Sequence, residues 1–289
     1  MAIEHIPFPG NKIDLSAFDS SKREKKKPLE FYLGALKNGL AEQAQEINYE
    51  FPDFLNTDGQ IKMVGSEAVS DAALVESQEE AFSLGLRKTK AEWRKEKEVQ
   101  PSNLMEMALT ILLHKFLKKD FIVARASAYD DYNNGVDQVV IDKKSGAIIC
   151  GFDEVVTHFK DGRAPKKEEK LKRKMLAGGA RIKYGAVFNK QGELERAARN
   201  HLPAFYLALT KDDLNELLPA LTNNQPSHQE EKVLNKIFSN LSSSLQEQLA
   251  GLSEETNLDH RLEKNLENFQ ASLERINHAS LEGIKSAMV

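Results

Sequence analysis

The segment YDDYNNGVDQVVIDKKSGAIICGFDEVV, residues 129–156, places carboxylates among apolar residues that favour β-strands. Its acids are Asp130, Asp131, Asp137, Asp153 and Glu154. A buried carboxylate is costly unless it is paired, hydrogen-bonded or bound to a metal. Turn chemistry accounts for Asp130 and Asp131, which stand beside Asn133, Asn134 and Gly135. The other three acids predict a site for a divalent cation that prefers oxygen ligands, Mg²⁺ or Mn²⁺.

The polar turn at residues 142–146 indicates an antiparallel hairpin whose strands are residues 135–142 and 147–156. Asp137 stands at the start of the first strand and Asp153 towards the end of the second, so we expect their carboxylates to be neighbours. Like charges directly opposed across strands are destabilising unless something compensates them. Because side chains alternate faces, Glu154 is expected on the face opposite to Asp153. The predicted metal ligands are Asp137, Asp153 and Glu154.

A further acid, Glu106, lies in NLMEMALTILLHKFL, a segment that is almost wholly apolar from Leu104 to Leu113. Two interpretations remain open for it. Glu106 either interacts favourably with the N-terminal end of the helix dipole or points into the same acidic site.

Basic residues follow the hairpin. Residues 160–174 hold eight basic and three acidic side chains, although the whole chain has a net charge of −4. Such a run can hold backbone phosphates of a nucleic acid without reading its sequence. The candidate phosphate-binding residues are Lys166, Lys167, Lys172, Arg173 and Lys174. The alternative is a solvated helix face on which Glu168 and Glu169 pair with the lysines.

The elements around these residues predict a mixed α/β domain over residues 100–221, in the order helix, three strands, helix, two strands, helix. One predicted helix runs from Ser66 or Ser70 to about Lys97, and one predicted strand is ARIKYGAVF, residues 180–188. The predicted divisions are a flexible arm (1–28), an N-terminal helical region (29–99), the α/β core (100–221) and a C-terminal helical extension (222–289).

The C-terminal extension shows heptad spacing at Leu262, Leu266, Phe269, Leu273 and Ile276. It predicts an antiparallel helical pair resembling a coiled coil, packed on the domain or on a second copy as a homodimer. Because TNNQPS reads as a linker, we expect that removing residues 222–289 leaves a folded α/β domain.

A helical Glu, an Asp at the start of a strand and an acid at the end of the next strand together resemble the PD-(D/E)XK nuclease superfamily. DDYNNGVD resembles a DD-x-x-N-G-x-D segment of uncharacterised bacterial members. The resemblance covers about residues 100–221 and implies a restriction-endonuclease-like mixed sheet flanked by helices. It also implies metal-dependent hydrolysis of phosphodiester bonds. By this resemblance the catalytic acids are Glu106, Asp137 and Asp153, with Glu154 as the adjacent alternative to Asp153.

The sequence departs from the family motif at the lysine. Two residues after Asp153 stands Val155, and two after Glu154 stands Val156. In the family that lysine helps to position and polarise the attacking water. We expect it to be replaced by Lys170, with Lys167 or Lys183 as alternatives. The rival hypothesis is a catalytically inactive nuclease-fold protein that binds partners through its long helices.

Other features narrow the class of protein. The single cysteine, Cys150, excludes a disulfide within the chain and a metal site built from several cysteines. No run approaches the ~18 apolar residues of a membrane-spanning helix, so we expect no membrane partner. The first residues, MAIEHIPFPGNKID, lack the apolar stretch of a signal peptide, so a cytoplasmic location is expected.

Overall fold

The structure is a computed structural model that describes residues 29–158, 164–223 and 225–286. The flexible arm expected at residues 1–28 lies outside the described residues. The helices are α1 (Leu29–Glu50), α2 (Ala68–Gly85), α3 (Lys90–Glu98), α4 (Pro101–Leu117), α5 (Pro165–Leu176), α6 (Lys211–Thr222), α7 (His228–Ser253) and α8 (His260–Ser286). The strands are β1 (Phe121–Arg125), β2 (Gln138–Asp142), β3 (Ile148–Thr157), β4 (Ala180–Ile182), β5 (Ala186–Phe188), β6 (Leu194–Arg196), β7 (Arg199–Leu202) and β8 (Ala204–Thr210).

The main sheet has four strands in the order β1-β2-β3-β8. The first three strands pair antiparallel, whereas β8 joins β3 in parallel. β2 is buried along its whole length, as a strand covered on both faces should be. The structure therefore confirms a mixed α/β fold with helices around a mixed sheet. The specific restriction-endonuclease-like fold stays a prediction.

Helix α4 packs between α1 and the sheet. Pro101 occupies its first turn, where the missing N–H is not needed. Its apolar run from Leu104 to Leu113 is almost entirely buried. α1 contributes a stripe of buried residues at helical spacing, among them Leu36, Leu40 and Ala44. This layer fixes the position of Glu106 relative to the sheet.

The single helix predicted from Ser66 or Ser70 to Lys97 is wrong, because the chain forms two helices, α2 and α3, with a break between them. Arg87 in the break adopts a left-handed backbone with φ of 56°. The second helix then begins with a capping box, in which Thr89 and Glu92 exchange side-chain-to-backbone hydrogen bonds.

The single strand predicted for residues 180–188 is also wrong. Two three-residue strands occupy this stretch, and each pairs in a different two-stranded sheet, β4 with β7 and β5 with β6. Between them, the backbone N–H groups of Lys183 and Tyr184 donate to the carboxylate of Asp130 at 2.7 and 3.0 Å. Because these N–H groups already donate to Asp130, they cannot pair with a neighbouring strand. The segment is therefore divided into two short strands.

The two C-terminal helices form the predicted pair, and the pair packs on the domain. The predicted seam residues Leu262, Leu266, Phe269, Leu273 and Ile276 are all buried. The ring of Phe269 stacks on Phe205 of β8, with centroids 4.5 Å apart. Phe238 of α7 stacks on Phe116 of α4 at 4.3 Å. These apolar residues therefore have partners within the chain. The expected homodimer stays a prediction.

One apolar core runs through all the predicted divisions that the structure describes. It joins Leu40 of α1, Leu109 of α4, Phe205 of β8 and Phe269 of α8. Arg275 of α8 also pairs with the buried Asp142 of the central hairpin at 2.9 Å. The C-terminal helices therefore cover the sheet and share its core.

Strand β8 lies at one end of the main sheet and packs against α7. Gln248 of α7 reaches its backbone. The Gln248 Oε1 atom accepts from the Tyr206 N–H at 2.9 Å, and its Nε2 donates to the Tyr206 carbonyl at 2.9 Å. One side-chain amide thus makes both hydrogen bonds that a neighbouring strand would supply at this residue.

Among the helices that the structure describes, none combines the length and the apolar composition that crossing a membrane requires.

Candidate functional site

The central hairpin brings the predicted acids together. Gln138 of β2 stands opposite Phe152 of β3, and the backbone N–H of Asp137 also donates to the carbonyl of Phe152, at 2.8 Å, which places Asp137 next to the residue that precedes Asp153. The charge of Asp153 acts on the Asp137 carboxyl group, so these two acids lie close to each other, as expected. Asp137 Oδ2 accepts the backbone N–H of Glu154 at 2.7 Å. This hydrogen bond fixes the Asp137 carboxylate at the point where β2 begins.

Glu106 is held next to this point by Gln138, which is fully buried. The Gln138 side-chain amide donates to the backbone carbonyl of Glu106 at 2.9 Å and to Thr110 Oγ1 at 2.7 Å. These bonds tie α4 to the residue that follows Asp137. Since Glu106 lies beyond the first turn of α4, which contains no acidic residue, the helix-dipole interpretation loses its support.

A π-helical turn, Asp130–Asn134, precedes β2. Asp130 is a structural carboxylate, because it is fully buried and accepts from Ser127, Asn134 and two backbone N–H groups. Asp131 is placed differently. It lies close enough to Asp137 and Arg125 for their charges to act on its carboxyl group. The turn chemistry expected for both residues therefore describes Asp130 but leaves Asp131 as part of the acidic site.

Apart from the structural carboxylate of Asp130, Glu154 is the most deeply buried of these acids, with 6% of its surface exposed. Among the residues that the structure describes, no donor reaches either carboxylate oxygen of Glu154. Burial raises the pKa of Glu154 well above its usual range, and the charge on Asp137 raises it further. Burial raises the pKa of Asp137 above its usual value, and a hydrogen bond that protonated Glu154 can donate to Asp137 opposes this shift.

Glu106 and Asp131 are perturbed in the same direction. Burial, followed by the charge of Asp137, raises the pKa of Glu106 to about 7 and that of Asp131 to about 6. Arg125 opposes both shifts, and its Nη2 atom lies 3.2 Å from the Glu106 carboxylate. The side chain of Glu106 retains 21% exposure, so the cluster is reachable from solvent. Carboxylates with raised pKa values in one cluster are typical of functional sites.

Helix α5 supplies the cations that face these acids. Lys167 forms a hydrogen-bonded ion pair with Asp153. Lys170 lies farther off, with Nζ 3.7 Å from Asp153 Oδ2. Lys174 donates to the backbone carbonyls of Asn134 and Gly135 at 2.9 and 2.8 Å. Residues spaced by three and four along α5 therefore form one row over the acidic site.

Lys167 is thus the direct partner of Asp153, although the sequence favours Lys170 as the replacement for the motif lysine and gives Lys167 only as an alternative. Lys183, the other alternative, pairs with Glu67 and with Asp71 of α2 at 2.6 Å. Because Asp153 is engaged by lysines, Glu154 is better placed than Asp153 to act together with Asp137.

The remaining cations of the basic helix are arranged differently. Lys172 pairs with Glu255, and Arg173 pairs with Glu169 at 3.1 Å one turn away on α5. Lys166 is exposed. The basic helix is therefore divided between a row that faces the acids and a face that is partly paired with glutamates. The part of the basic run at 160–163 lies outside the described residues.

Three residues of the site were not predicted: Arg125, Asp131 and Lys97. Arg125 is the last residue of an apolar strand and stands opposite Gln138. A cation at the end of a buried strand is the sequence feature that could have identified it as part of the site. Lys97 comes from α3, and its charge lowers the pKa of both Glu106 and Asp131. The sequence spacing between Lys97 and the acids does not indicate that it belongs to the site.

The donor set fits a hard divalent cation in its chemistry, since carboxylate oxygens are the ligands that Mg²⁺ and Mn²⁺ prefer. The observation that supports the fit is that the two oxygens of Glu154 receive no donor from any residue in the ranges described above. Among the described residues, no three His, Cys, Asp or Glu side chains are arranged to hold an ion as they stand. A metal would therefore have to draw Asp137 and Glu154 towards a common point.

Comparisons with protein-family models, with characterised proteins and with solved structures give no match to this chain. The site must therefore be interpreted from its own geometry and chemistry.

Proposed function

We propose that this chain is a divergent metal-dependent nuclease that hydrolyses phosphodiester bonds in nucleic acid. One observation carries the proposal. The buried carboxyl group of Glu154, whose oxygens have no donor within the described part of the chain, lies against Asp137 beside the ion pair between Lys167 and Asp153. Carboxylates that lack compensating partners, next to lysines, suit a site that binds a cation and a phosphate at the same place.

The proposed roles follow from the contacts. Asp137 and Glu154, with Glu106 nearby, would hold Mg²⁺ or Mn²⁺. Such an ion polarises a phosphate oxygen and lowers the pKa of a bound water when it is present. Asp153 orients Lys167 and Lys170, whose ammonium groups can donate to a phosphate oxygen or to the attacking water. Lys174 anchors α5 to the turn that carries Asp131.

Metal binding can be measured without activity. Asp137→Asn is expected to be no less stable than the wild type with chelator present, because it relieves repulsion while its amide oxygen still accepts from the Glu154 N–H. It should gain less from metal than the wild type. The wild type should gain about 2.7 kcal/mol at a metal concentration a hundredfold above Kd. Thermal melts with EDTA and with millimolar Mg²⁺ or Mn²⁺ measure both effects.

Asp58→Asn, on the exposed surface, is the matched control and should gain as much as the wild type. A wild type that gains nothing from either ion would contradict the metal site.

Hydrolysis is tested with end-labelled single-stranded DNA, duplex DNA and RNA in EDTA, Mg²⁺ or Mn²⁺. We expect metal-dependent cleavage by the wild type and a loss of about a hundredfold in Lys167→Gln, the size seen when one donor to a transition state is removed. Lys115→Gln, at an exposed position on α4, should cleave like the wild type. Equal rates for Lys167→Gln and the wild type would remove Lys167 from the proposed site.

A second function is favoured by Val155 and Val156, which replace the lysine of the family motif and pack against the apolar core. In this alternative the fold is kept without catalysis, and the long helices bind a partner. Stabilisation by metal without any cleavage of the three substrates would favour it.

A further inference from the structure

Three aromatic rings lie together beside the acidic site. Phe82 at the end of α2 is 55% exposed. Its ring lies nearly parallel to that of Trp93 on α3, with centroids 6.4 Å apart and an angle of 16°. Tyr132 of the π-helical turn completes the group, 6.3 Å from Phe82. Trp93 is 9% exposed and Tyr132 is half-buried, so Phe82 is the most exposed ring of this aromatic group.

The aromatic group is continuous with the acids. Tyr132 directly follows Asp131, and Lys97 Nζ donates to the Tyr132 hydroxyl at 2.9 Å. The same ammonium lies 4.6 Å from the Tyr132 ring centroid and 5.4 Å from the Trp93 ring centroid. Its charge also lowers the pKa of Glu106 and of Asp131. Lys97 therefore links the rings to the site where hydrolysis is proposed.

The position of this group relative to the turn is fixed by α2. Gln78 donates to Asn133 of the turn at 3.0 Å, while the Tyr132 hydroxyl donates to Glu79 at 3.0 Å. On its other side the turn is held by Lys174 of α5. The turn thus lies between the exposed ring and the row of lysines.

The charge around the rings gives no general attraction for a phosphate backbone. Residues 76–98 contain six basic and six acidic side chains. Several are paired with each other, as Arg94 is with Glu76 at 2.5 Å. What α2 and α3 offer at this place is an aromatic face, whereas the cations that could bind phosphates lie on α5.

We infer that Phe82 is a stacking platform for an unpaired base, and that the substrate of the proposed nuclease is single-stranded nucleic acid. The inference rests on the proposed function. An unpaired base can lay its face on an aromatic ring, whereas a base inside a duplex is already stacked on both faces. The strand would place one base on Phe82 and its backbone at the lysines of α5.

Binding is measured with a fluorescently labelled twelve-residue oligothymidine in EDTA, by anisotropy, beside a duplex of equal length. We expect the single strand to bind more tightly than the duplex. Phe82→Ala should weaken single-strand binding about tenfold, the effect of losing one stacked base. Phe82→Leu should lose as much, because leucine keeps apolar surface without a ring. Leu84→Ala, at a position 67% exposed on the same helix, is the matched control and should bind like the wild type.

Trp93 supplies an independent signal, because it is the only tryptophan of the chain. Its emission should change on adding unlabelled oligothymidine to the wild type and should change less in Phe82→Leu. Equal affinities for single strand and duplex, full affinity in Phe82→Leu, or no binding at all would overturn the inference. An equal loss in Leu84→Ala would indicate an apolar protein-binding surface instead.

The same proteins separate this inference from the proposed hydrolysis. Ring-dependent binding without cleavage in Mg²⁺ or Mn²⁺ would leave the stacking platform standing and reject the nuclease. Metal-dependent cleavage that is indifferent to Phe82 and favours duplex DNA would do the reverse.

Discussion

Replacing Glu106 with glutamine is expected to stabilise the protein at pH 8 by about 3 kcal/mol, because its pKa is raised from 4.5 to about 7 in the folded state. Below pH 4.5 Glu106 is protonated in both the folded and the unfolded chain. Between pH 4.5 and 7 the unfolded chain releases this proton while the folded chain retains it, so the wild type loses stability across that window. Glutamine resembles the protonated form and loses nothing.

Urea unfolding of the wild type and Glu106→Gln at intervals from pH 4.5 to 8 measures this difference. The two proteins should be similar at the acidic end and diverge as the pH rises. Glu80→Gln, on the exposed face of α2, should follow the wild type at every pH. If Glu106→Gln is instead destabilised at pH 8, Glu106 acts mainly as the ion-pair partner of Arg125, and the acid belongs to the framework of the fold.

Such a result would bear on function, because an acid that destabilises the protein at neutral pH is poorly explained by the needs of folding. Residues that lower stability are typical of binding and catalytic sites, where function and stability conflict. Metal binding would relieve the repulsion, and the stabilising effect of glutamine should then shrink in Mg²⁺ or Mn²⁺.

Removing residues 225–289 is expected to abolish cooperative unfolding. For removal of residues 222–289 the sequence predicts the opposite outcome, a folded α/β domain, because TNNQPS has the composition of a linker. The structure buries a row of leucines and phenylalanines from α7 and α8 against the sheet and α4. Each large apolar side chain that is buried contributes roughly 1.5–3 kcal/mol. Removing these helices would also expose to water the apolar residues of the sheet and of α4 against which they pack, such as Phe205 and Phe116.

Far-ultraviolet circular dichroism during urea unfolding measures the loss of cooperativity. A single substitution in the full chain tests the same interface more gently. Phe269→Ala should cost about 3–5 kcal/mol, whereas Gln270→Ala, on the exposed side of α8, should cost little. A truncated protein with a sharp transition near that of the full chain would show that residues 225–289 form a separate unit.

The sequence predicts those parts of the fold that depend on local patterns. The apolar run of α4 and the turn at residues 142–146 both act within a few residues of the chain. The division of residues 180–188 could not be predicted, because it depends on Asp130, which is 53 residues from Lys183 in the sequence. The break between α2 and α3 did have local signals, in Gly85 and in the spacing of Thr89 and Glu92.

The residues of the site also fall into those that local patterns predict and those that depend on distant parts of the chain. The approach of Asp137 and Asp153 follows from the register of one hairpin and could be read from the sequence. The choice between Lys167 and Lys170 could not, since both lie on one face of α5 and only the placement of that helix decides which reaches Asp153. Lys97 and Arg125 come from other elements, so no spacing relates them to the acids.

The side-chain amide of Gln248 has a consequence for how this protein can meet other chains. A sheet edge with open N–H and carbonyl groups invites a strand from another molecule, in amyloid-like association or in peptide capture. At Tyr206 both groups are already satisfied by Gln248, and α7 lies across the strand. A foreign strand could extend the sheet there only after α7 had been lifted away. Partners that bind this side of the folded protein must therefore recognise side chains, and backbone-directed aggregation from β8 requires partial unfolding first.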